Sequence, residues 1–243
     1  PSGANLDDPG NAIFFDARIE PRRLAVRQDA INVNRVALSP DQTQLLTGSA
    51  QWSYRNAMLW DAQRAEARIP LPGQNTQIRA VSFSPDGTLA ATGGADGKVW
   101  LRNAENGVFV RALEGHSSSI EAMAFTPNGE WLVTASGDTT AKVWEVATGA
   151  AMQTLSGHVQ EVLSVATAPD NAHAATGSED NTVRLWDITT GALAATFYPS
   201  SAPYEPVHGL AFTPDGTSLI AGCGDGTVEV WDWVAGTSKL LLT

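Results

Sequence analysis

The chain has 243 residues, 43% of them hydrophobic, with a single cysteine and a formal net charge of -11. That length buries a sizeable core and suits one or two domains, while the acidic balance counts against nucleic acid and anionic membrane as partners of the whole surface. No apolar run approaches the ~20 residues that cross a bilayer, no basic-then-apolar leader opens the chain, and one cysteine supports no internal disulfide framework, so the expectation is a cytoplasmic protein without membrane insertion.

The charge is uneven. Residues 1–68 hold eight basic and eight acidic residues, and the rest hold seven and eighteen. Arg18, Arg22, Arg23 and Arg27 crowd one stretch, which reads as a solvated strand edge. The chain opens on Ser2-Gly3-Ala4, and Asn11-Ala12 leads into Ile13-Phe14-Phe15-Asp16. The same order returns 45 residues later as Thr47-Gly48-Ser49, Asn56-Ala57 and a segment ending at Trp60-Asp61. On this spacing the chain is expected to begin partway through a repeat.

Two rulers then mark the period. Turn phrases stand at Ser39-Pro40-Asp41, Ser84-Pro85-Asp86-Gly87, Thr126-Pro127-Asn128-Gly129, Ala168-Pro169-Asp170 and Thr213-Pro214-Asp215-Gly216. Proline presets φ, and Asp, Asn and Gly tolerate the reversed backbone of a hairpin. The prolines fall 45, 42, 42 and 45 residues apart. The second ruler is Trp60, Trp144, Trp186 and Trp231, at gaps of 84, 42 and 45. The long gap is two periods, with Arg102 at its midpoint and Trp100 two residues early.

Each period holds four short strands. In the fourth copy they are expected over Val162–Thr167, Ala172–Thr176, Thr182–Asp187 and Leu193–Phe197, separated by polar turns. A four-stranded sheet apolar on both faces cannot bury them alone, so such units stack on one another. Radial stacking also removes long exposed edges.

Trp-Asp closes a strand at Trp60-Asp61, Trp186-Asp187 and Trp231-Asp232, and Gly-His precedes one at Gly115-His116 and Gly157-His158. With these the chain resembles the WD40 family over nearly its whole length. The resemblance implies an all-β fold: a WD40-type β-propeller of four-stranded blades, five full and one partial. The partial blade is expected over residues 1–27 and the full blades at about 31–70, 75–113, 117–155, 159–197 and 205–243. The two inner strands of the partial blade are expected to lie outside the sequence. The family parent is seven-bladed, so the expectation is a C-terminal piece of a longer propeller, completed by a missing segment or by another chain.

The family's hydrogen-bonded tetrad falls on His116, Thr134, Asp138 and Trp144, and again on His158, Thr176, Asp180 and Trp186. A buried indole N–H needs an acceptor, and a satisfied network stiffens its blade. Duplication of a Thr–His–Asp set at the repeat period marks a structural device rather than a catalytic one. Other blades depart: blade two has Thr92 and Asp96 but Gly73-Gln74 and Arg102, blade five keeps Asp225 and Trp231 without Gly-His, and blade one keeps mainly Thr47 and Trp60. Two complete tetrads are therefore expected. His173 and His208 have no second ligand at metal spacing, and Cys223 occupies a small-residue slot. The glycine-rich run Gly222–Gly226 lacks the Lys-Ser/Thr and helix of a phosphate loop. No metal, cofactor or catalytic residue is expected.

Function is sought where the repeats break. Three loops on one rim are unusual: Ala4–Asn11 with Asp7 and Asp8, Ala50–Asn56 with Trp52, Tyr54 and Arg55, and Tyr198–Pro206 with Tyr198, Tyr204 and Glu205. Aromatic and Arg anchors on a rigid scaffold suit interface hot spots. Ser118, Ser119, Glu161 and Glu179 line the same face. The reading is a non-catalytic scaffold that binds a protein or peptide on this rim, its acidic field favouring a basic partner. The alternative within the binding class is a C-terminal sensor or regulatory arm of a larger signalling or effector protein. The alternatives outside it are a structural subunit held through its open edge and a propeller enzyme with an axial cofactor, for which four histidines, two in tetrads, leave little.

Overall fold

A computed structural model describes residues 11–14, 24–27, 33–50, 56–64, 66–199 and 205–242. Among them there is no helix, and every regular element is a β-strand. Strands β1 (Asn11–Phe14) and β2 (Leu24–Arg27) form a two-stranded antiparallel sheet with Asn11 opposite Arg27. Five four-stranded sheets follow in sequence order. The first holds β3 (Val33–Leu38), β4 (Gln44–Ser49), β5 (Ala57–Asp61) and β6 (Glu66–Pro70). The second holds β7 (Ile78–Phe83), β8 (Leu89–Gly94), β9 (Val99–Asn103) and β10 (Phe109–Leu113). The third holds β11 (Ile120–Phe125), β12 (Trp131–Ser136), β13 (Ala141–Glu145) and β14 (Ala151–Leu155). The fourth holds β15 (Val162–Thr167), β16 (His173–Ser178), β17 (Val183–Asp187) and β18 (Leu193–Phe197), and the fifth β19 (Val207–Phe212), β20 (Leu219–Cys223), β21 (Val228–Asp232) and β22 (Thr237–Leu242).

The expected strand ends shift slightly in the fourth sheet. β16 starts at His173 and runs on to Ser178, past the expected Thr176, because Ser178 still pairs with Val162 and its N–H still reaches the Thr182 carbonyl. Asn181, at φ 60°, then reverses the chain, and β17 starts at Val183. Asn tolerates this left-handed conformation better than most residues. The Pro turns are built from side chains as much as from backbone. Ser39 donates its hydroxyl to Asp41 at 2.6 Å, and Ser84 and Thr213 do the same to Asp86 and Asp215. These bonds hold all three carboxyls below the usual aspartate value.

The chain divides into two compact units, one of residues 1–95 and 100–110, the other of residues 96–99 and 111–243. In the first, β7 packs on β3 and β4 around Leu46, Leu59, Leu71, Ile78 and Phe83. In the second, β15 packs on β11 and β12, and β19 on β15 and β16. The core between the third and fourth sheets gathers Val133, Val143, Leu155, Val162 and Trp186; the core between the fourth and fifth gathers Val183, Leu185, Phe197, Val207 and Trp231. Within each unit, then, the first strand of one sheet meets the first and second strands of the sheet before it. A bulge recurs near the start of every first strand, at Val33/Arg35, Ile78/Ala80, Ile120/Ala122, Val162/Ser164 and Val207/Gly209. Such a bulge re-aims the opening side chain. Ile78 and Val207 accordingly lie against Gly48 and Gly177 of the neighbouring sheet.

Candidate functional site

In the third sheet the His116 Nδ1–H donates to Asp138 Oδ2 at 2.7 Å, the Thr134 hydroxyl donates to His116 Nε2 at 2.8 Å, and the Trp144 indole N–H donates to Thr134 Oγ1 at 2.8 Å. The fourth sheet repeats the chain through Asp180, His158, Thr176 and Trp186 at 2.9, 2.8 and 2.8 Å. Asp138 and Asp180 also accept the backbone N–H of Ser117 and Val159. Burial alone would raise both carboxyls; hydrogen bonds from the His, Thr and backbone donors outweigh it and hold them low. Burial pushes His116 below its ordinary value, against the pull of Asp138. A neutral imidazole fits the network, since its Nε2 must accept the Thr proton. All four groups are bonded to one another, and the Thr134 and Thr176 hydroxyl oxygens also accept the buried indole N–H.

The second sheet is wired differently. The Thr92 hydroxyl donates to Gln74 Oε1 at 2.7 Å, so Gln74 takes the histidine's place. Arg102, only 5% exposed, donates to the carbonyls of Gly107 and Pro72 and lies 5.1 Å from the Trp100 ring and 5.9 Å from the Phe109 ring. In the first sheet the Trp60 N–H reaches Thr47 at 2.9 Å.

One further bond recurs at the repeat period. Ala95, Gly137, Glu179 and Gly224 each donate their N–H to a carbonyl in the loop before the first strand, from Gln77, Ser119, Glu161 and Pro206 respectively. These latches tie hairpin to loop at one end of the sheets. Three of the donors carry at most a methyl group. The fourth sheet alone puts two glutamates across its latch, Glu161 and Glu179, bonded at 3.0 Å through their backbones. The Glu161 carboxyl reaches the third sheet, where a Cβ on Gly137 would meet it at 3.4 Å and the Ser118 and Ser119 hydroxyls at 3.0 and 3.2 Å. Ser119 in turn donates to Glu121. Among the described residues neither Glu161 nor Glu179 has a basic partner. At the fifth sheet a Glu205 oxygen stands beside Gly224. Tyr198, next to the end of β18, is 72% exposed. This acidic end was visible in sequence only as separate residues; the period-42 slot Ala95/Gly137/Glu179 is the signal that would have paired Glu179 with Glu161.

Trp52, Tyr54, Arg55 and Tyr204, with Asp7 and Asp8, lie outside the described residues. His173 bonds Asp170 at 2.7 Å and lies against Trp233, His208 is exposed, and Cys223 is buried at the end of β20. Among the described residues no group of three or more His, Cys, Asp or Glu is placed to hold a metal, and no helix is long and apolar enough to cross a membrane.

No curated protein matches the chain. The family model for the WD domain, G-beta repeat, matches residues 67–103, 107–145, 149–187 and 193–232. Each match runs from the outer strand of one sheet through the first three strands of the next. Such repeats commonly scaffold protein–protein interactions and are typically non-catalytic. With four consecutive repeats covering more than half of its residues, the chain belongs to the WD40 family.

Proposed function

We propose that the chain is a non-catalytic interaction module that binds a basic segment of a protein or peptide at the latched end of its sheets. The observation that carries this reading is the Glu161/Glu179 pair, two glutamates joined by a backbone bond across one latch, with no basic partner among the described residues. Two glutamates without a counter-ion at one end of a sheet offer an incoming Lys or Arg a complementary charge. Glu205 extends the acidic end, and the exposed ring of Tyr198 supplies an apolar anchor near it. Trp52, Tyr54, Arg55 and Tyr204, expected from sequence on a recognition rim, lie outside the described residues. The net charge of -11 steers a basic partner toward the chain from a distance of about a Debye length, ~8 Å at physiological salt.

The test is a pull-down from native lysate, quantified for wild type, Glu161→Gln/Glu179→Gln and Tyr198→Ala. The expected outcome is at least a tenfold loss of one partner in the double variant, and a wild-type recovery that falls as salt is raised. Recovery of every partner at wild-type level by both variants overturns the proposal.

A further inference from the structure

Two asparagines of the chain precede a glycine, Asn106 before Gly107 and Asn128 before Gly129. Such a pair is open to attack by its own backbone, because the glycine nitrogen has no Cβ beside it to bar its approach to the carboxamide. Both asparagines are exposed in turns. Both fold the side chain back over the following peptide, as asparagine does in turns: the Val108 N–H donates to Asn106 Oδ1 at 3.0 Å, and the Glu130 N–H to Asn128 Oδ1 at 3.1 Å. The two glycine nitrogens are alike as well, each donating to a turn carbonyl at 2.8 Å, that of Asn103 or of Thr126.

The carboxamides differ. That of Asn128 is held at both ends: its Oδ1 also accepts the Thr126 hydroxyl at 2.7 Å, and its Nδ2 donates to the Glu130 carboxylate at 2.8 Å. The Asn128 N–H is fixed too, on Asn171 Oδ1 at 2.8 Å. For Asn106 the bond from Val108 is the one side-chain hydrogen bond among the described residues. The repeat singles out the same residue. Gly107, Gly149, Gly191 and Gly236 fill one turn position, each donating to the carbonyl of Asn103, Glu145, Asp187 or Asp232. The residues before them are Asn106, Thr148, Thr190 and Ala235. The Thr148 and Thr190 hydroxyls accept the N–H of Ala150 and Ala192, which is the Asn106 turn bond made by a group without a carbonyl carbon. Of these four turns, that of the second sheet alone carries an electrophile.

We propose that Asn106 is a site of spontaneous deamidation, that Thr126 and Glu130 protect Asn128 from the same reaction, and that the product at Asn106 loosens the hold on Arg102. The Gly107 nitrogen forms a bond to Asn106 Cγ and gives up its proton, the Cγ–Nδ2 bond breaks, and Nδ2 leaves as ammonia. A five-membered succinimide results. Water then adds to one of its two carbonyls. Opening at Cγ gives aspartate; opening at the main-chain carbonyl gives isoaspartate, whose backbone runs through Cβ and Cγ and is one atom longer. To react, a carboxamide must turn its face to the incoming nitrogen, which the Asn106 group can do by loosening one bond and the Asn128 group only by loosening three. Gly107 has little room to follow a longer turn. Its carbonyl accepts from the buried Arg102, and a Cβ on it would meet Ile69 at 2.7 Å and Leu71 at 3.0 Å. Isoaspartate draws that carbonyl away from a cation which burial already disfavours. The site lies beyond the rim reading, and its test leaves Glu161, Glu179 and Tyr198 untouched.

The experiment ages the folded chain at mildly alkaline pH and cleaves it with trypsin, which puts the two asparagines on separate peptides, residues 103–111 and 112–142. Each deamidation adds about 1 Da. The 103–111 peptide is expected to gain it at least tenfold faster, with isoaspartate as a second peak of equal mass. In the chain unfolded in urea the two rates are expected to fall within about threefold, because the Thr126 and Glu130 bonds are gone. Equal rates in the folded chain overturn the proposal, and so does the same ratio in both states, which would trace the difference to local sequence. Asn106→Thr copies the turn bond of the third and fourth sheets; it is expected to abolish the gain in 103–111 and to melt within about 2 °C of fresh wild type. Aged wild type is expected to melt more than about 3 °C below fresh wild type, and aged Asn106→Thr to melt as when fresh. Asn106→Asp carries the charge without the longer backbone and is expected to melt with fresh wild type. Converted wild type that melts as when fresh, or a loss in Asn106→Asp as large as in aged wild type, overturns the link to Arg102.

Discussion

The second and fourth sheets place the same two kinds of side chain against the same glycine, in opposite order. In the fourth, Arg184 comes first and Trp186 two residues later, and both stand beside Gly157. In the second, Trp100 comes first and Arg102 two residues later, and both stand beside Gly73. The third sheet follows the fourth, with Lys142 and Trp144 at Gly115. The exchange changes what is buried. Trp186 passes its N–H to Thr176 inside a closed network, whereas Trp100 has a buried indole nitrogen with no acceptor and Arg102 is a cation inside the sheet. Burial lowers the Arg102 pKa, and two carbonyls and two ring faces offset only part of that cost. What the two sheets share is the threonine and an acceptor in the histidine place. That pair is the constant part of the device; the tryptophan place is the adjustable part.

The sharpest way to test this division is one substitution in both sheets. Thr176→Val keeps the shape but leaves the Trp186 N–H and His158 Nε2 without partners, and is expected to cost about 3 kcal/mol. Thr92→Val removes a single side-chain bond, that to Gln74 Oε1, and is expected to cost about 1 kcal/mol. Urea unfolding of both variants measures the difference. Equal losses would mean that the indole and imidazole bonds add nothing beyond a single hydrogen bond.

Arg102 tests the other half of the comparison. Arg102→Ala removes packing from Trp100 and Phe109 and leaves the Pro72 and Gly107 carbonyls short of a donor, for an expected cost of about 2 kcal/mol. Arg102→Met keeps the packing and removes the desolvated charge, and is expected to fall within about 1 kcal/mol of wild type. If the methionine variant is as unstable as the alanine one, the hydrogen bonds to the two carbonyls dominate, and burial of the charge costs less than argued above.

The two kinds of network also part with pH. His116 is held below 6.5 by burial, so the unfolded chain binds the proton more readily. Its contribution is complete above that value and is lost as pH falls through the lower folded pKa. Asp138 and Asp180, held below 3.8, add a second loss at more acid pH. Protonation of His116 turns Nε2 into a donor that faces the Thr134 oxygen already accepting from Trp144. His116→Gln, which copies Gln74, is expected to be less stable at pH 7 and to lose the part of the slope that begins below pH 6.5. Melting temperatures from pH 8 to 4 check it; an unchanged slope would place the titration elsewhere.

Much of this was legible beforehand. The Pro turns and Trp-Asp pairs carry the period because turn geometry and strand pairing admit few residues, and Arg102 and Trp100 were already visible as out of place. That Arg102 would be inside was not legible, because an arginine's default is the surface and its acceptors here are backbone carbonyls, which every residue has. The Glu161/Glu179 pairing needed the fold: it is a relation between residues 18 apart in sequence that only the latch brings together.

The smallest expected effect is also the most specific. Gln74→His, Trp100→Arg and Arg102→Trp together write the fourth sheet's order into the second, where Thr92 and Asp96 already stand at the repeat places of Thr176 and Asp180. The triple variant is expected to gain about 1 kcal/mol, since it exposes the cation's head and supplies the indole with an acceptor. Arg102→Trp alone is expected to lose stability, because two indoles would then compete for the space beside Gly73, where a Cβ would already meet Trp100 at 3.0 Å. The sign therefore changes between the single and the triple substitution, which is the mark of coupled positions. If the single variant gains as much as the triple, the cation and the indole are independent, and the opposite order in the two sheets is not a compensating exchange.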